Sequence, residues 1–404
     1  MSANVPAAVR LPGKRVLIIV ENLPVPPDRR VWQECSALRG AGHEVSVICP
    51  KGRGYDRSYE IIDGVHIYRH ALPWDARGIA GFVLEYTTAF VCQMWLAWWI
   101  HFTRGFDIIQ ACNPPDTIWL IALPFRKLLG RKFVFDHHDP FPEMFAAKFP
   151  RQRLLHRVTL LFERMSIRSA DVLITTSEAL KKIAVERAGI AAEKVHLVRS
   201  CPDLQKMRRV APDPDLRQGA RHVVAYIGIM GSQDGVDTLL RAARETVHTH
   251  MRDDVRYLLI GDGPEFEKLK QMARELDVER NVTFAGFLHG DKLLAALSSA
   301  DLGACPDPLN AYNDKLTMNK VLEYMAVELP TVMFELSEGR AIAGEASVYV
   351  PGGDDPRSMA KAILELLDNP ERRRRMGAYG RARVQRMFDW KDQRRIYVEA
   401  FAGL

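Results

Sequence analysis

The sequence predicts an α/β protein with two doubly wound domains, each built on a parallel sheet between layers of helices. Short, nearly all-apolar strands alternate with amphipathic helices along most of the 404 residues, as in parallel sheets that are covered on both faces. This alternation stops once, in a stretch rich in Pro, Asp and Arg, and then restarts. The chain is also longer than one hydrophobic core usually serves.

The first half contains a β-α-β unit followed by further strands. RVLIIV (15–20) is a strand, a helix covers about 31–39, and EVSVIC (44–49) is the next strand. The later strands are VHIYRH (65–70), FDIIQACN (106–113), KFVFDHHD (132–139) and DVLITTS (171–177). The last three end in polar residues, which matters because parallel sheets bind ligands beyond the carboxyl ends of their strands.

The second half repeats the design from HVVAYIG (222–228) onward. We therefore predict a first domain at 1–200, an interdomain linker at 201–220 and a second domain at 221–380. The last segment, 381–404, is predicted to be helical and to cross back to the first domain.

Composition and charge restrict the class of protein. Apolar residues make up 47% and charged residues 26%, as in ordinary globular proteins, and the net charge is +6. We find no RNP, zinc-finger or basic-aromatic pattern, so nucleic acid is not an expected partner. The six cysteines are scattered without metal spacing, and the N-terminus lacks the apolar run of a secretory signal. A cytoplasmic protein with free thiols is the expectation.

One uncharged stretch raises the question of membrane contact. YTTAFVCQMWLAWWIHF (86–102) approaches the length of a spanning helix, but its Thr, Gln and His residues dilute it. A half-buried helix and a helix lying on a membrane surface are both open; a true span is disfavoured. Basic segments at 125–133 and 151–168 would assist binding to the inner face of the cell membrane. Their other interpretation is a solvated helix face.

Lys320 and Glu323 lie three residues apart at the start of a short predicted helix, after a polar loop. This spacing places them on one helix face. A surface ion pair would explain them, and so would a ligand site.

Several segments together resemble a known family. They are LLIGDGPEFEKLKQMARELDVERNVTFAGFLHGDKLLAALSSADLGACPDP, KVLEYMAVELPTVMFE, FDHHDPFPEMF and VLIIVENLPVPPDRRVWQECSALRGAGHEVSVICP. They resemble retaining GT-B glycosyltransferases of family 4, in a bacterial subgroup that builds surface polysaccharides such as capsule and exopolysaccharide. The resemblance implies metal-independent transfer of a hexose from a nucleotide-sugar to an acceptor, in a cleft between two Rossmann-like domains.

The resemblance implies a donor site in the second domain. Glu323 matches the ribose-binding Glu, and Phe287 and Leu288 follow the strand where the family holds the base. Gly228 and Gly231 lie where the backbone approaches the phosphates; an ordinary strand-to-helix turn is the alternative. A UDP-sugar is favoured, and a GDP-sugar is the other option.

The chain also departs from the family. Lys315 stands where the family has the first of two glutamates, eight residues before Glu323, and Ile229 and Asp234 stand where an Arg and a Lys hold the diphosphate. Lys320 is our preferred substitute for this cationic clamp, with Lys315 second and Arg340 third. A solvated Lys320 is the alternative.

The resemblance also implies acceptor-side residues in the first domain. His138 matches an acceptor-side catalytic histidine, with His137 as the alternative. The other candidates, which would line or orient the acceptor, are Asn113, Asp116, Asp139 and Glu143. Arg29, in PPDRR after the first strand, would contact an acceptor phosphate, and a loop-capping role for this segment is the alternative. No general base is assigned, because the leaving phosphate can take the acceptor proton. No metal site and no cofactor are predicted, since DPD at 213–215 reads as a turn.

The predicted function is transfer of a sugar to a lipid-linked or saccharide acceptor. Two rivals remain. A degenerate partner subunit would bind nucleotide-sugar or another transferase without catalysis, and the missing clamp favours it. A nucleotide-sugar 2-epimerase shares the two-domain layout but needs carboxylates whose motifs do not match this chain.

Overall fold

The computed structural model of the chain describes residues 13–72 and 78–404. Two compact units are present. The first runs to Arg199 and includes Gln393–Leu404, and the second is Ser200–Asp392. All six cysteines are free thiols, and five of them are buried.

The first unit is built on an eight-stranded sheet in the order β3-β4-β2-β1-β5-β6-β7-β8. Its strands are β1 (Arg15–Ile19), β2 (Glu44–Pro50), β3 (Tyr59–Ile62), β4 (Val65–His70), β5 (Ile108–Cys112), β6 (Lys132–His137), β7 (Val172–Thr175) and β8 (Val195–Leu197). All neighbours pair in parallel except β3, which runs antiparallel to β4.

Helices connect these strands and cover the sheet. They are α1 (Arg29–Gly40), α2 (Gly78–Thr103), α3 (Trp119–Leu129), α4 (Phe141–Lys148), α5 (Arg153–Ser169) and α6 (Glu178–Glu186). Side chains of α2, α3 and α5 share one buried core with β1, β5 and β6. These three helices therefore pack on the same face of the sheet.

The second unit is built on a six-stranded parallel sheet in the order β11-β10-β9-β12-β13-β14. Its strands are β9 (His222–Ile227), β10 (Val255–Ile260), β11 (Val282–Gly286), β12 (Leu302–Cys305), β13 (Thr331–Phe334) and β14 (Ser347–Val350). Its helices are α7 (Val236–Arg244), α8 (Phe266–Glu275), α9 (Gly290–Ser298), α10 (Asn319–Ala326), α11 (Ser337–Ala343), α12 (Pro356–Leu367) and α13 (Pro370–Met387), and α14 (Trp390–Ala402) follows. The predicted doubly wound class is confirmed.

Two strands were missed by the sequence analysis. β3 is an exposed edge strand, with Ile61 55% exposed, so its residues lack the apolar run that marks the other strands. β8 has only three residues, which is too short for a periodic signal.

The structure places residues 201–220 in the second unit, although we predicted a linker there. This segment has little regular structure, yet its side chains Cys201, Leu204 and Met207 are buried in that unit's core. Two of its amides also donate to side chains of that unit: Val210 N–H to Ser298 Oγ at 3.0 Å and Asp213 N–H to Ser299 Oγ at 2.8 Å. Burial without periodicity gives no sequence signal of domain membership.

The final segment also divides later than we predicted. α13 belongs to the second unit, where Arg381 donates to the carbonyl oxygens of Ala326 (2.6 Å) and Met207 (3.2 Å). Only Gln393–Leu404 joins the first unit, rather than all of 381–404. There the buried Tyr397 hydroxyl donates to Gln110 Oε1 at 2.6 Å.

The predicted apolar segment at 86–102 lies within α2, whose placed residues are half-buried to exposed on one side and buried on the other. Within residues 13–72 and 78–404, we find no helix with both the length and the apolar character needed to cross a bilayer.

The loops after β9 and β10 touch at two glycines, and this contact generates a stability prediction. A Cβ on Gly261 would lie 1.9 Å from Gly228 O, and Gly261 has φ +135°. We expect Gly261→Ala to lower the free energy of unfolding by about 2–3 kcal/mol. Gly286→Ala is the control, because Gly286 has φ +68° but no atom near its Cβ position, so it should cost only about 1 kcal/mol. Equal losses in urea unfolding would contradict the close approach.

Candidate functional site

The order of the second sheet defines where its ligand crevice lies. β9 is flanked by β10 on one side and β12 on the other, so the chain reverses its direction of travel across the sheet between β9 and β12. Ligands of doubly wound sheets bind beyond the carboxyl ends of the strands at such a switch point. Gly228 follows β9 there, Asp307 follows β12, and α10 begins after the next loop.

Lys320 lies at this switch point and forms a buried ion pair. Its Nζ donates to Asp307 Oδ1 at 2.8 Å and Oδ2 at 2.7 Å, with 11% and 5% of the two side chains exposed. The ammonium also lies 4.9 Å from the centre of the Tyr226 ring. Burial would lower the pKa of Lys320, but the Asp307 carboxylate outweighs it and raises that pKa. The alternative of a solvated Lys320 is therefore wrong.

Glu323 lies on the same short helix, one turn after Lys320, and is 5% exposed. Both side chains are thus largely buried on one helix, and Lys320 pairs with Asp307. Gly228 is close to Lys320 as well, because a Cβ on Gly228 would lie 3.4 Å from Lys320 Cε. The first glycine of the loop and Lys320 therefore meet at the end of β9, and Glu323 follows one turn later on the same helix.

The glycine loop itself is closed by internal hydrogen bonds. Gly228 N–H donates to Ile260 O at 3.0 Å. Gly231 N–H donates to Asp234 Oδ2 at 2.9 Å. Asp234 is one of the two residues that replace the family's cationic clamp. Its carboxylate occupies the amide that we predicted to meet a phosphate.

The two other substitute cations also have protein partners. Lys315 Nζ donates to Ala311 O at 2.6 Å. Arg340 pairs with Glu335 at 2.6 Å, and its guanidinium lies 4.2 Å from the centre of the Tyr349 ring. Lys320 is the candidate whose contacts, with Asp307, Tyr226 and Gly228, lie at the switch point.

The predicted base-binding residues follow β11. Phe287 is 51% exposed, and its ring stacks on His289 with centroids 6.1 Å apart. Leu288 packs against the unit's core. An exposed aromatic ring at the carboxyl end of a strand offers an apolar surface to a planar base.

In the first unit, a buried ion-pair network lies at the ends of β5 and β6. Arg30 Nη2 contacts Asp136 Oδ1 at 2.9 Å, and Arg30 Nε contacts Glu34 Oε1 at 3.0 Å. Gln110 Nε2 donates to Glu34 Oε2 at 2.8 Å. Burial would raise the pKa of Asp136, but Arg30 and His138 outweigh it and hold that pKa well below its usual range.

His138 is bound to this network through its ring. Its Nε2 lies 2.7 Å from Asp136 Oδ2, and 13% of the side chain is exposed. Its backbone N–H donates to Asn113 Oδ1 at 2.6 Å. A carboxylate that binds one ring nitrogen fixes the orientation of the imidazole. The predicted histidine is therefore rigidly held at the strand end.

Three potential metal ligands lie close together in the same network. Donor atoms of Cys112, Asp136 and His138 are within 4.8 Å of one another. However, Arg30 Nε lies 3.0 Å from His138 Nε2 and 3.3 Å from Asp136 Oδ2. A protein cation already contacts two of the three donors, so we assign this cluster to the ion-pair network.

His137 has a different environment from its neighbour. Its side chain is fully buried, and its ring stacks on Phe135 with centroids 5.6 Å apart. Its Nε2 lies 3.6 Å from Glu163 Oε1, and Arg187 bridges Glu163 (2.5 Å) and Glu143 (2.6 Å). Of the two adjacent histidines, His138 is the one that solvent reaches.

Asn113 joins the remaining acceptor-side candidates. Its Nδ2 donates to Asp116 Oδ1 at 2.9 Å and to Asp139 O at 2.8 Å. The structure thus brings Asn113, Asp116, Asp139 and His138 together at the ends of β5 and β6.

Arg29 lies in the PPDRR loop (26–30), whose three charged residues have different environments. Asp28 caps α1 by accepting from Val31 N–H at 3.1 Å, Arg29 is exposed, and Arg30 enters the buried network. Sequence reasoning missed the roles of Arg30, Asp136 and Asp307. A charged residue inside or directly after an apolar strand was the available signal for the two aspartates.

The burial of His137 generates a pH prediction. Burial, with the charges of Arg187 and His138, lowers its pKa to about 3, whereas the unfolded value is about 6.5. The unfolded chain therefore binds more protons in this window, and stability falls as pH is lowered through it, by at most about 1.4 kcal/mol per pH unit. We expect His137→Gln to lose less stability than wild type between pH 7 and 4.5 in urea unfolding.

The difference in unfolding free energy between wild type and His137→Gln at each pH removes the effects of the other titrating groups. The exposed His250→Gln is the control, and its curve should follow wild type. Parallel curves for wild type and His137→Gln would show that His137 takes up its proton normally in the folded protein.

Comparison with known proteins supports the architecture. The Glycosyltransferase Family 4 model matches residues 28–206, and the Glycosyl transferases group 1 model matches residues 221–369. The Anabaena protein Alr3699/HepE, solved in complex with UDP-glucose, superposes with a TM-score of 0.69 at 16% identity, covering 97% of this chain and 100% of that one.

Relatives of known activity share about a quarter of their residues with this chain. The chain is 24% identical over 233 residues to the alpha-D-kanosaminyltransferase of Streptomyces kanamyceticus, spanning 56% of this chain and 58% of the relative. It is 25% identical over 378 residues to the glycogen synthase of Mycobacterium tuberculosis, spanning 90% of this chain and 87% of the relative. With one family model in each unit and the same fold throughout, the chain belongs to the GT-B glycosyltransferases, with a Family 4 domain followed by a group 1 domain.

Proposed function

We propose that the protein transfers a sugar from a nucleotide-sugar donor to a hydroxyl group of a lipid-linked or saccharide acceptor. The observation that carries this proposal is the placement of Lys320 beside Gly228 at the switch point of the group 1 domain, with the buried Glu323 one turn later on the same helix. A nucleoside diphosphate needs a cation for its phosphates and a carboxylate for its ribose hydroxyls, and these residues supply both.

Glu323 accepts hydrogen bonds from the ribose hydroxyls in this proposal, and Lys320 binds the diphosphate. A phosphate oxygen would compete with Asp307 for the Lys320 ammonium, so donor binding involves an exchange of anions. Lys320 stabilises the diphosphate most strongly as the bond to the sugar breaks, because negative charge then grows on the leaving phosphate. Phe287 and Leu288 bind the base in the same proposal.

A UDP-sugar is the favoured donor, since the fold neighbour from Anabaena was solved with UDP-glucose. A GDP-sugar is the alternative. Retention of configuration without a metal is part of the proposal, with the leaving phosphate taking the acceptor proton. No step then needs a protein base.

His138 contacts the donor sugar or the acceptor hydroxyl in this mechanism. Asp136 fixes its ring through Nε2, which leaves Nδ1 as the nitrogen that a ligand would meet. Asn113 and Asp139 orient the acceptor from the same strand ends. The product would enter synthesis of a cell-surface polysaccharide, such as capsule or exopolysaccharide.

A second candidate function has its own observation. Asp234 and Asp307 occupy the amide of Gly231 and the ammonium of Lys320. A degenerate partner subunit would have such carboxylates, because they bind the amide and the ammonium permanently, in place of the phosphates of a donor. The two candidates differ in whether a nucleotide displaces these carboxylates.

We also propose that the first unit binds an anionic membrane surface through α2 and its neighbours α3 and α5. Large apolar side chains project to solvent from α2: Val91 (60% exposed), Trp95 (63%), Trp99 (52%) and Phe102 (78%). The rings of Trp95 and Trp99 stack at 5.9 Å.

α5, on the same face of the sheet, adds exposed Leu154 (74%) and Leu161 (53%). Its exposed arginines Arg153, Arg157 and Arg164 alternate with these apolar residues. Aromatic side chains beside arginines suit the interface between acyl chains and anionic headgroups.

Donor binding is tested by calorimetric titration of UDP and GDP in EDTA. We expect one of the two nucleotides to bind, and Glu323→Gln to weaken it about 10–100-fold through the loss of charged hydrogen bonds. The exposed Glu279→Gln should bind like wild type. If neither nucleotide binds, or if Glu323→Gln binds unchanged, the partner-subunit function takes precedence.

Lys320 requires a paired design because it is buried with Asp307. Lys320→Met alone should cost about 3–5 kcal/mol of stability, since it leaves Asp307 uncompensated. Lys320→Met with Asp307→Asn should recover most of that stability but not nucleotide affinity. A doubly substituted protein that binds nucleotide normally would remove Lys320 from the donor site.

Membrane contact is tested by flotation with vesicles of phosphatidylglycerol and of phosphatidylcholine. We expect binding to the anionic vesicles at low salt, and a loss of about tenfold or more in Trp95→Ser/Trp99→Ser. Met251→Ser is the control, because Met251 is 79% exposed but lies in the second unit. Failure of wild type to float with anionic vesicles at low salt would refute this surface.

A further inference from the structure

The first unit holds two buried carboxyl groups with oxygens that have no hydrogen-bond partner among the described residues. Glu21 follows β1 and is 3% exposed, yet neither of its oxygens has a hydrogen-bond partner among the described residues. Asp116 follows β5 and is 1% exposed; its Oδ1 accepts from Asn113, but its Oδ2 has no partner within residues 13–72 and 78–404. Buried polar oxygens without partners are unfavourable, and each requires an explanation.

Topology places these two carboxyls at the point where a ligand is expected. β1 and β5 are parallel neighbours, with Ile19 beside Ala111 in the register. From β1 the chain proceeds to β2 on one side and later to β5 on the other, so the sheet reverses its winding between β1 and β5. Glu21 and Asp116 leave the sheet on either side of this switch point.

The electrostatic environment of these carboxyls is negative. Tyr86 on α2 is half-buried, and desolvation raises the pKa of its hydroxyl, with the charges of Glu21, Glu85, Asp116 and Asp139 raising it further. The charges of four carboxyl groups, carried by α2 and by the segments after β1, β5 and β6, therefore act on one phenol. Burial, followed by the charge of Glu85, also raises the pKa of Glu21.

We propose that Glu21 and Asp116 form an acceptor subsite that binds hydrogen-bond donors, namely hydroxyl or amino groups on the acceptor's sugar ring. The unpartnered oxygens accept such bonds, and an ammonium would in addition neutralise the cluster. A phosphate would be repelled by the surrounding carboxyls. This subsite rests on the proposed transferase function, and it places any phosphate of a lipid-linked acceptor elsewhere.

Glu21 acts here as a binding and positioning residue, and this role has a signature that a purely structural role lacks. A buried carboxyl without partners destabilises the unliganded protein, so Glu21→Leu should raise the urea midpoint while it weakens acceptor binding. A residue that merely supports the fold would lose stability when it is replaced.

The experiment is an NMR titration of the full chain, in the presence of saturating UDP, with each of three probes. The probes are methyl α-D-glucopyranoside (neutral), methyl 2-amino-2-deoxy-α-D-glucopyranoside (cationic) and glucose 6-phosphate (anionic). We expect the neutral or the amino probe to bind and the phosphate not to. Glu21→Leu should weaken the bound probe about tenfold or more, and Glu21→Gln should weaken the amino probe more than the neutral one.

Glu44→Gln is the matched control, because Glu44 is an exposed residue on the same sheet. Preferential binding of glucose 6-phosphate, no binding of the neutral and amino probes, or unchanged affinities in Glu21→Leu would each overturn the subsite. UDP binding measured on the same samples separates the two proposals. If UDP fails to bind, the transferase function fails; if UDP binds and the probe results are negative, only the subsite fails.

Discussion

A charge buried at the end of a parallel strand is strongly destabilising unless it is paired, and two such pairs organise this molecule. Asp136, the penultimate residue of β6, pairs with Arg30 in the first unit, and Asp307, after β12, pairs with Lys320 in the second. Each cation comes from a helix, so each pair joins a helix to a strand end. The removal of one partner would leave a charge that water does not solvate.

The pairing of Lys320 with Asp307 also limits how tightly the second unit can bind an anionic ligand. A carboxylate and a phosphate present similar oxygens to an ammonium or an amide. Asp307 and Asp234 therefore hold the binding groups in place without a ligand. The net affinity for a diphosphate is then a difference between two anion contacts, and a weak ligand gains little from it.

The sequence predicted the structure well where burial of a strand or helix produces a regular pattern of apolar residues. Apolar strands such as HVVAYIG and KFVFDHHD, and the glycine and polar residues at their ends, predicted both sheets and the location of the candidate site. It was uninformative where a residue's partner is distant in the chain. Nothing near Lys320 in sequence indicates that it pairs with Asp307, thirteen residues earlier, and nothing near Cys201 indicates which core receives it. The unpartnered state of Glu21 is likewise a property of its neighbours in space.

The segment Gln393–Leu404 belongs to the first unit although the whole second unit precedes it in the chain. Tyr397, from this segment, donates to Gln110 in the middle of the first sheet, and Gln110 in turn holds Glu34. During synthesis, at about 5–20 residues per second, the first unit emerges from the ribosome long before this helix does. Its central polar network is therefore incomplete for on the order of ten seconds or more. The first unit can therefore complete its polar network only after the second unit has been synthesised.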